Sequence, residues 1–566
     1  MKVKSVSKEK SHEIELEVRG MTCDSCAVHV KNALESVPDV LSASVPHWTA
    51  GEAAVKTRDG VIEDRLVSAV KAAGYSATLR SPTREFESLE PDNRSSDYDL
   101  IVIGTGCGGM AAALKASELG KSVLVVEAGT IGGTCVNIGC VPSKTLIRAA
   151  EVYHKAKNHP FKGIDIQTNG VNWHEVVKQK DGLVDELREQ KYANVLASQA
   201  ENITFMEGSA EIKGGGVVVD GEHYYSAKKI VIAVGARPNV LPLEGIDNVN
   251  VLTSTTIMSL EKQPGSLVII GGRAIALELG QALARLGTKV TILQRSDRLI
   301  PDHEPEISEA IQEYLQNEGL DIYTGVSAKR IKEEKGRKIV TVAKDDGFLQ
   351  DFQAEEVLMA VGREPNSQDL GLEEAGVETD EGGFILVDDT LQTTNPHIYA
   401  VGDVTTLPKL VYVAAAAGGI AASHAFGDAP QPLDLSVLPQ VIFTDPQIAI
   451  VGLTETRATE KGYQVKTTLL PLDHVPRALA ARDTRGFIKL VADEATDRLL
   501  GAHILAAEGG ELVQTAALAV KFGVTNGFTL SDLRQMFFPY LTQVEGLKLA
   551  AQTFEKDVTQ LSCCAG

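Results

Sequence analysis

Residues 98–129 read YDLIVIGTGCGGMAAALKASELGKSVLVVEAG, and this stretch is the strongest indicator of the fold. It opens with an apolar run typical of a buried strand, followed by the turn GTGCGG and a helix-forming segment. A second apolar run ends at Glu127, where an acid can hydrogen-bond a ribose hydroxyl. Because Gly104, Gly106 and Gly109 allow a tight turn and a close approach of pyrophosphate, the stretch predicts a dinucleotide-binding βαβ unit.

A second unit of the same design begins with SLVIIGG at 266–272. Gly271 occupies the first glycine position, but Arg273 replaces the usual middle glycine. The second strand of this unit ends in an arginine, Arg295, and not in an acid, and a cation suits a 2′-phosphate. We therefore predict NADPH at this unit. The alternative is that Arg295 and Arg298 only form a solvated turn.

Composition excludes several classes of protein. The chain has 566 residues, of which 43% are hydrophobic and 23% charged, so large buried cores are possible. Its net charge of −21 repels phosphate backbones and anionic membranes, so we expect no nucleic-acid partner. The N-terminus lacks the apolar stretch of a secretory signal, and the longest apolar segment is too short to span a membrane. We expect a cytoplasmic protein without membrane insertion.

Seven cysteines are too few for a disulfide scaffold in a chain of this length. Six of them form three close pairs, Cys23 with Cys26, Cys135 with Cys140, and Cys563 with Cys564, and Cys107 remains. Paired thiols in a reducing compartment indicate redox catalysis or binding of a soft metal. Cys107 lies in the first glycine turn, and we expect it to be an inert packed residue.

The pair at Cys135 and Cys140 lies in GGTCVNIGCVPSK, at the start of a predicted helix. The helix dipole stabilises thiolates there, and the spacing permits a reversible disulfide. Together with the two βαβ units and TTNPHIYAVGD at 393–403, this motif resembles the pyridine nucleotide-disulfide oxidoreductase family. The resemblance runs from Tyr98 to the end of the chain.

The resemblance implies the cofactors and the roles of several residues. FAD is expected in the first unit, with Gly133, Thr134 and Asp403 among its contacts, and NADPH on the opposite face of the flavin. Cys140 is expected to be the thiolate against the flavin and Cys135 the exchanging thiol. Lys144 is expected to pair with Glu278 beside the flavin and nicotinamide; the alternative is a surface ion pair.

The predicted architecture is α/β. A compact βαββαβ pattern precedes a polar, proline-containing connector, and the C-terminal part shows mixed strands followed by helices. We therefore expect a ferredoxin-like metal-binding domain at 1–80, a flexible linker at 81–97, a Rossmann-like FAD domain at 98–243 and 363–433, a Rossmann-like NADPH domain at 244–362, and an α+β dimerisation domain at 434–566.

The C-terminal segment FPYLTQVEG bears on the substrate. Disulfide-reducing members of the family carry His-Pro and a following Glu there, which protonate the leaving thiol. Phe538 and Gln543 occupy those two positions in this chain, so the acid/base group is missing. Tyr540 offers a phenol on the substrate side, and the alternative for it is an interface aromatic.

Two thiols without an acid/base partner suit a soft cation that binds two thiolates linearly. The motifs GMTCDSC, KYANVL, FPYLTQVEGLKLAAQTF and LSCCAG resemble the Hg(II)-reducing members of the family. This resemblance implies reduction of Hg(II) to Hg(0) for detoxification in a homodimer, with Tyr192 and Tyr540 lining the metal site. Small thiols would deliver Hg(II), and the tail of one subunit, with Cys563 and Cys564, would pass it to the cysteine pair of its partner.

The motif GMTCDSC also resembles heavy-metal-associated domains, in which Cys23 and Cys26 would collect Hg(II), with a mercury transporter as one source. A thioredoxin-type redox pair is the alternative. Two other interpretations of the whole chain stay open: a reductase of small-thiol disulfides that carries metal-binding appendages, and a noncatalytic metal buffer. His303 and Glu304 are expected to begin a solvated helix.

Overall fold

The computed structural model describes residues 11–21, 24–38, 40–45, 52–58, 63–79, 96–344, 347–427 and 432–560. Its N-terminal elements are β1 (Ser11–Arg19), α1 (Asp24–Glu35), β2 (Val40–Ser44), β3 (Glu52–Arg58), α2 (Glu63–Ala72) and β4 (Ser76–Leu79). The strands form an antiparallel sheet in the order β2-β3-β1-β4. Alternate residues of β1, Leu16 and Val18, share one apolar core with Val30 and Leu34 of α1. The ferredoxin-like prediction is confirmed.

Most of the expected linker lies outside the described residues. The first dinucleotide-type unit follows it. Its elements are β5 (Tyr98–Ile103), α3 (Cys107–Glu118), β6 (Val123–Glu127), α4 (Gly133–Ile138), α5 (Cys140–Asn158), α6 (Trp173–Arg188), α7 (Asn194–Ser198), β7 (Ile203–Glu207), β8 (Ala210–Lys213), β9 (Gly216–Val219), β10 (His223–Ile232) and β11 (Ala236–Pro238). Strands β7, β6, β5 and β10 are parallel neighbours, and β8 and β9 extend the sheet as a hairpin. Four consecutive residues of β5 are buried, as in a strand covered on both faces.

The second dinucleotide-type unit contains β12 (Leu252–Thr253), β13 (Ser266–Ile270), α8 (Ala274–Leu286), β14 (Lys289–Leu293), α9 (Pro305–Asn317), β15 (Asp321–Tyr323), β16 (Val326–Glu334), β17 (Arg337–Lys344), β18 (Leu349–Ala354) and β19 (Glu356–Met359). Five of its strands are parallel in the order β12-β19-β13-β14-β15. Strands β16, β17 and β18 form a separate antiparallel sheet. The two predicted Rossmann-like units are confirmed.

The chain then returns to the first sheet through β20 (Arg363–Pro365), β21 (Ile398–Ala400) and α10 (Val411–Ala425). Strand β21 pairs in parallel with β10, and β20 pairs with β11. Helix α10 packs on α3, and a side chain at Gly418 would meet the Gly108 carbonyl oxygen at 2.1 Å. The longest apolar segment, which begins at Leu410, therefore forms a helix that packs on α3. In the described ranges, no helix has the length and apolar character to cross a membrane.

The C-terminal part consists of β22 (Gln440–Ile442), β23 (Gln447–Gly452), α11 (Glu455–Glu460), β24 (Val465–Pro471), α12 (Pro476–Ala481), β25 (Phe487–Asp493), β26 (Arg498–Ala506), α13 (Gly509–Asn526), α14 (Leu530–Gln535) and α15 (Glu545–Gln552). Its five strands form an antiparallel sheet in the order β22-β23-β26-β25-β24. Helix α13 packs on β23 and β26. The predicted α+β domain is confirmed.

The expectation of a solvated helix start at His303 and Glu304 is wrong. Glu304 is only 3% exposed, and its carboxylate accepts a hydrogen bond from Lys489 Nζ of β25 at 3.0 Å. Burial also lowers the pKa of His303 to about 4. The start of α9 is buried because it lies against the C-terminal sheet, which the local sequence does not reveal.

Candidate active site

The first glycine turn leaves space at one position and forbids side chains at two others. A Cβ at Gly104, where φ is +102°, would lie 2.5 Å from the Ala233 carbonyl oxygen. A Cβ at Gly109 would lie 2.1 Å from the Gly104 oxygen, so this glycine allows helix α3 to approach the strand. At Gly106, by contrast, a Cβ would meet nothing within 4 Å. The open space beside a helix N-terminus fits a dinucleotide pyrophosphate.

Glu127 lies at the end of β6 and is bound to this turn. One carboxylate oxygen accepts hydrogen bonds from Thr105 N at 2.8 Å and Thr105 Oγ1 at 2.5 Å. The other accepts from Gly129 N at 2.8 Å. The acid therefore fixes the turn and stands where a ribose would follow the pyrophosphate.

Gly133, Thr134 and Asp403 lie around the same turn. A Cβ at Gly133 would be 2.7 Å from Gly106 Cα, so the segment before the cysteines lies against the glycine turn. Arg363, which the sequence analysis missed, lies with its Nε 3.3 Å from Asp403 Oδ2 and its Nη2 3.5 Å from Thr134 Oγ1. Burial lowers the pKa of Arg363. One half-buried cation thus links the two expected flavin-binding segments.

The central cysteines lie at the starts of two consecutive helices. Cys135 belongs to α4, and Cys140 is the first residue of α5; both are free thiols. The Cys135 thiol donates a hydrogen bond to the Cys140 sulfur, and this bond, with the charge of Lys144, lowers the pKa of Cys140 to about 7. The same hydrogen bond raises the pKa of Cys135. Cys140 is therefore the more readily ionised thiol.

Lys144 and Glu278 form the expected pair. The distance from Lys144 Nζ to Glu278 Oε2 is 2.6 Å, and Glu278 is only 7% exposed. The second oxygen, Oε1, accepts a hydrogen bond from Phe443 N at 2.9 Å. Because Glu278 is buried, the pair is not an ordinary surface ion pair. It places a cation one turn along α5 from Cys140.

Tyr192 lies beside the thiols on a π-helical turn, Glu189–Ala193, between α6 and α7. Such turns are frequent at functional sites. Its hydroxyl is 3.5 Å from Cys107 Sγ. Burial and this contact raise the pKa of Tyr192, as do the charges of Cys135 and Cys140. Tyr192 thus contacts Cys107 of the first glycine turn.

In the second unit, Gly271 has a φ of +116°, and a Cβ there would lie 2.3 Å from the Ala360 carbonyl oxygen. Arg273, at the middle position, forms an exposed ion pair with Asp302. Arg295 is exposed after β14. Arg298 instead donates to the Pro301 carbonyl oxygen at 2.6 Å, so it stabilises its own loop.

Other predicted residues lie apart from this cluster. Tyr540 lies between α14 and α15 and is 56% exposed. Cys26 is half-buried in the first turn of α1. Cys23, Cys563 and Cys564 lie outside the described residues. Within the part of the chain that is described, no three His, Cys, Asp or Glu side chains are grouped so that they could hold a metal ion.

Phe538 and Gln543 occupy the two positions of the missing acid/base dyad, and both have apolar or buried surroundings. Phe538 packs against the core of the C-terminal domain. Gln543 is 7% exposed, and its Oε1 has no hydrogen-bond partner within the described residues. Neither side chain can exchange a proton near neutral pH.

Family models match three parts of the chain. Residues 98–418 match the pyridine nucleotide-disulphide oxidoreductase model, and residues 438–551 match the dimerisation domain of the same family. Residues 15–76 match the heavy-metal-associated domain. The chain therefore belongs to the pyridine nucleotide-disulphide oxidoreductase family.

Within this family, the chain is similar to curated mercuric reductases. It is 45% identical to that of Staphylococcus aureus, over 97% of this chain and 98% of the relative. It is 42% identical to that of Lysinibacillus sphaericus, over 98% and 100%. It is 44% identical to that of Streptomyces lividans, over 83% of this chain and 98% of the relative.

Two solved structures share the architecture. The HOCl-induced flavoprotein disulfide reductase RclA from Escherichia coli has a TM-score of 0.72 and 29% identity, covering 80% of this chain and 99% of that one. LpdA from Mycobacterium tuberculosis has a TM-score of 0.72 and 27% identity, covering 81% and 100%.

Proposed function

We propose that this chain is a flavoprotein that uses NADPH to reduce Hg(II) to Hg(0), and so detoxifies mercury. The observation that carries the proposal is the Cys135–Cys140 pair of free thiols at two helix starts, together with Phe538 and Gln543 at the two positions where disulfide-reducing members carry the acid/base dyad. A soft two-coordinate cation needs two sulfur ligands and no proton donor. Relatives of 40% to 45% identity over nearly the whole chain carry this activity in their names.

In this proposal, FAD occupies the first glycine turn, held by Gly106, Glu127, Gly133, Thr134 and Asp403. NADPH occupies the second unit at Gly271 and Arg295. These two cofactors supply the electron pair that Hg(II) accepts. The chain would hold the ion on the sulfurs of Cys135 and Cys140, and the Lys144 ammonium one turn along the helix would stabilise the Cys140 thiolate.

We further propose that Hg(II) reaches this pair by thiolate exchange. Cys23 and Cys26 would accept it from a transporter or from small thiols, and Cys563 and Cys564 would pass it onward. The match to a dimerisation domain and the exposed Tyr540 support a homodimer in which one tail serves the partner's thiols. A cytoplasmic location follows from the need to keep these thiols reduced.

Reduction of a small-thiol disulfide is the competing function. It requires a group that protonates the leaving thiolate. Phe538 occupies that position and packs against the core of the C-terminal domain, so the proton donor that disulfide reductases carry in this segment is replaced by an apolar ring. The geometry favours a metal substrate.

The deciding experiment measures Hg(II)-dependent NADPH oxidation by the purified yellow protein in excess small thiol, with Hg(0) monitored in the headspace. Release of one Hg(0) per NADPH is expected. NADPH consumption without Hg(0), together with turnover on oxidised glutathione or lipoamide, would instead establish a disulfide reductase.

A further inference from the structure

Phe443 contacts both members of the Lys144–Glu278 pair. It lies in the loop between β22 and β23, whereas Lys144 lies on α5 and Glu278 on α8. Its ring centroid is 4.8 Å from Lys144 Nζ, and its backbone N–H donates to Glu278 Oε1 at 2.9 Å. A single residue of the C-terminal domain thus meets one residue from each dinucleotide unit.

The two contacts have complementary effects. The N–H bond holds one carboxylate oxygen of Glu278 and leaves Oε2 for Lys144 at 2.6 Å. Lys144 is still 35% exposed, and a lysine stem has many rotamers. The ring face attracts the ammonium and covers one side of it. Without the ring, the Phe443 backbone N–H would still hold the Glu278 carboxylate, but the Lys144 side chain could adopt more rotamers.

The loop that carries Phe443 is itself fixed to α8. Gln281 Oε1 accepts from Asp445 N at 2.8 Å, and Gln281 Nε2 donates to Asp445 O at 2.8 Å. Arg285 Nη1 lies 2.8 Å from Asp445 Oδ2. Residues 278, 281 and 285 lie on one face of the helix, and this face runs along residues 443–445. The position of the ring is therefore set by an extended contact between domains.

We propose that Phe443 is a positioning residue that holds the Lys144 ammonium in place through its ring. The inference rests on the proposed function, in which this pair serves NADPH-driven reduction. Phe443, from the dimerisation domain, would thus join Glu278 in holding the Lys144 ammonium, which is the cation that acts on Cys140.

The first test measures how fast Lys144 is acylated in the folded holoprotein, lysine by lysine, by mass spectrometry. Phe443→Leu keeps the backbone N–H and removes the ring, so labelling of Lys144 should rise about threefold, as expected for loss of a modest cation–π contact. Phe443→Tyr should match the wild type. Lys338 and Lys489, both buried, should stay slow, which excludes general loosening. Unchanged labelling of Lys144 in Phe443→Leu would overturn the proposal.

The second test is a double-mutant cycle on flavin reduction by NADPH, followed by absorbance without Hg(II). Phe443→Leu should slow this step about three- to tenfold, and should have no further effect in a Lys144→Met background. Additive losses would show that the ring acts by another route. Because Hg(II) is absent, failure of the proposed metal reduction would leave this result interpretable.

Phe426→Leu is a matched control. Its ring faces Lys121 at 5.3 Å, so it also loses a cation–π contact. It should leave both Lys144 labelling and flavin reduction unchanged. An equal slowing in this variant would refute a specific role for Phe443.

Discussion

At the scale of single residues, Cys140 is poised by its neighbours. A thiol at the first position of a helix faces the N-terminal end of the dipole, and here it also receives a hydrogen bond from Cys135 and the field of Lys144. Cys135 is held protonated by the same bond. The two sulfurs are thus unlike each other before any substrate arrives.

The pH dependence of alkylation should show this difference. The pKa of Cys140 is lowered to about 7, so its thiolate exists above that pH and is lost below it. Iodoacetamide labelling of Cys140 in the reduced protein should therefore rise through pH 7. Lys144→Met removes a cation, so the curve should move to higher pH and labelling at pH 7 should fall several-fold. Cys140→Ser is the control that identifies the labelled thiol, and a curve that stays in place in Lys144→Met would contradict the assignment.

At the scale of elements, the first strand–turn–helix unit contains two kinds of glycine. Gly104 and Gly109 permit close packing, whereas Gly106 faces the space proposed for the ligand. Gly109→Ala places a Cβ 2.1 Å from the Gly104 oxygen, so α3 must shift, and the thermal stability and the bound flavin should both fall. Gly106→Ala meets open space and should keep its stability while flavin affinity drops by about tenfold, because the methyl group fills the phosphate site. Flavin absorbance and thermal unfolding check both. Equal destabilisation in the two variants would refute the distinction.

Strand β25 and helix α9 are joined by a buried charge cluster. Lys489 Nζ lies 3.0 Å from Glu304, 2.8 Å from Glu306 and 3.0 Å from Glu455. Lys489→Met leaves buried Glu304 without its cation and should cost about 3–5 kcal/mol, seen as a lower urea midpoint.

Lys466→Met is the control for this prediction. It removes a partly exposed pair with Asp497, whose Oδ1 lies 2.7 Å from Lys466 Nζ, and should cost below about 1 kcal/mol. Equal midpoints for the two variants would show that burial of Lys489 adds nothing.

At the scale of the whole molecule, the N-terminal domain is a separate metal-binding unit with its own core. Deletion of residues 1–80 should leave Hg(II)-dependent turnover in vitro within about twofold of the full chain, because the proposed chemistry lies elsewhere. Complete loss of turnover, with flavin still bound, would contradict it.

The C-terminal tail, with Cys563 and Cys564, would act between the two subunits of the dimer. Replacing Cys563 and Cys564 by Ala should sharply lower turnover on thiol-bound Hg(II), by about tenfold or more, because small thiols must then transfer the ion to Cys135 and Cys140 without an intermediate thiol pair held nearby. Flavin reduction by NADPH should be unchanged in this variant and serves as its control. Identical kinetics on thiol-bound Hg(II) would refute tail delivery.

Local sequence patterns were enough to predict the fold class and to single out the candidate site motifs. Glycine spacing, apolar runs and paired cysteines are local patterns, and each depends on residues close together in the chain. For this reason GTGCGG, the second unit at Gly271 and the Cys135–Cys140 motif could be recognised directly.

Contacts between segments far apart in the chain add further residues to the candidate site. Arg363 joins Thr134 to Asp403, and Phe443 reaches Lys144 and Glu278. The burial of Glu304 likewise arises where two domains meet. None of these residues belongs to a local pattern, because their roles come from packing between segments far apart in sequence, and burial and electrostatic fields are set by that packing.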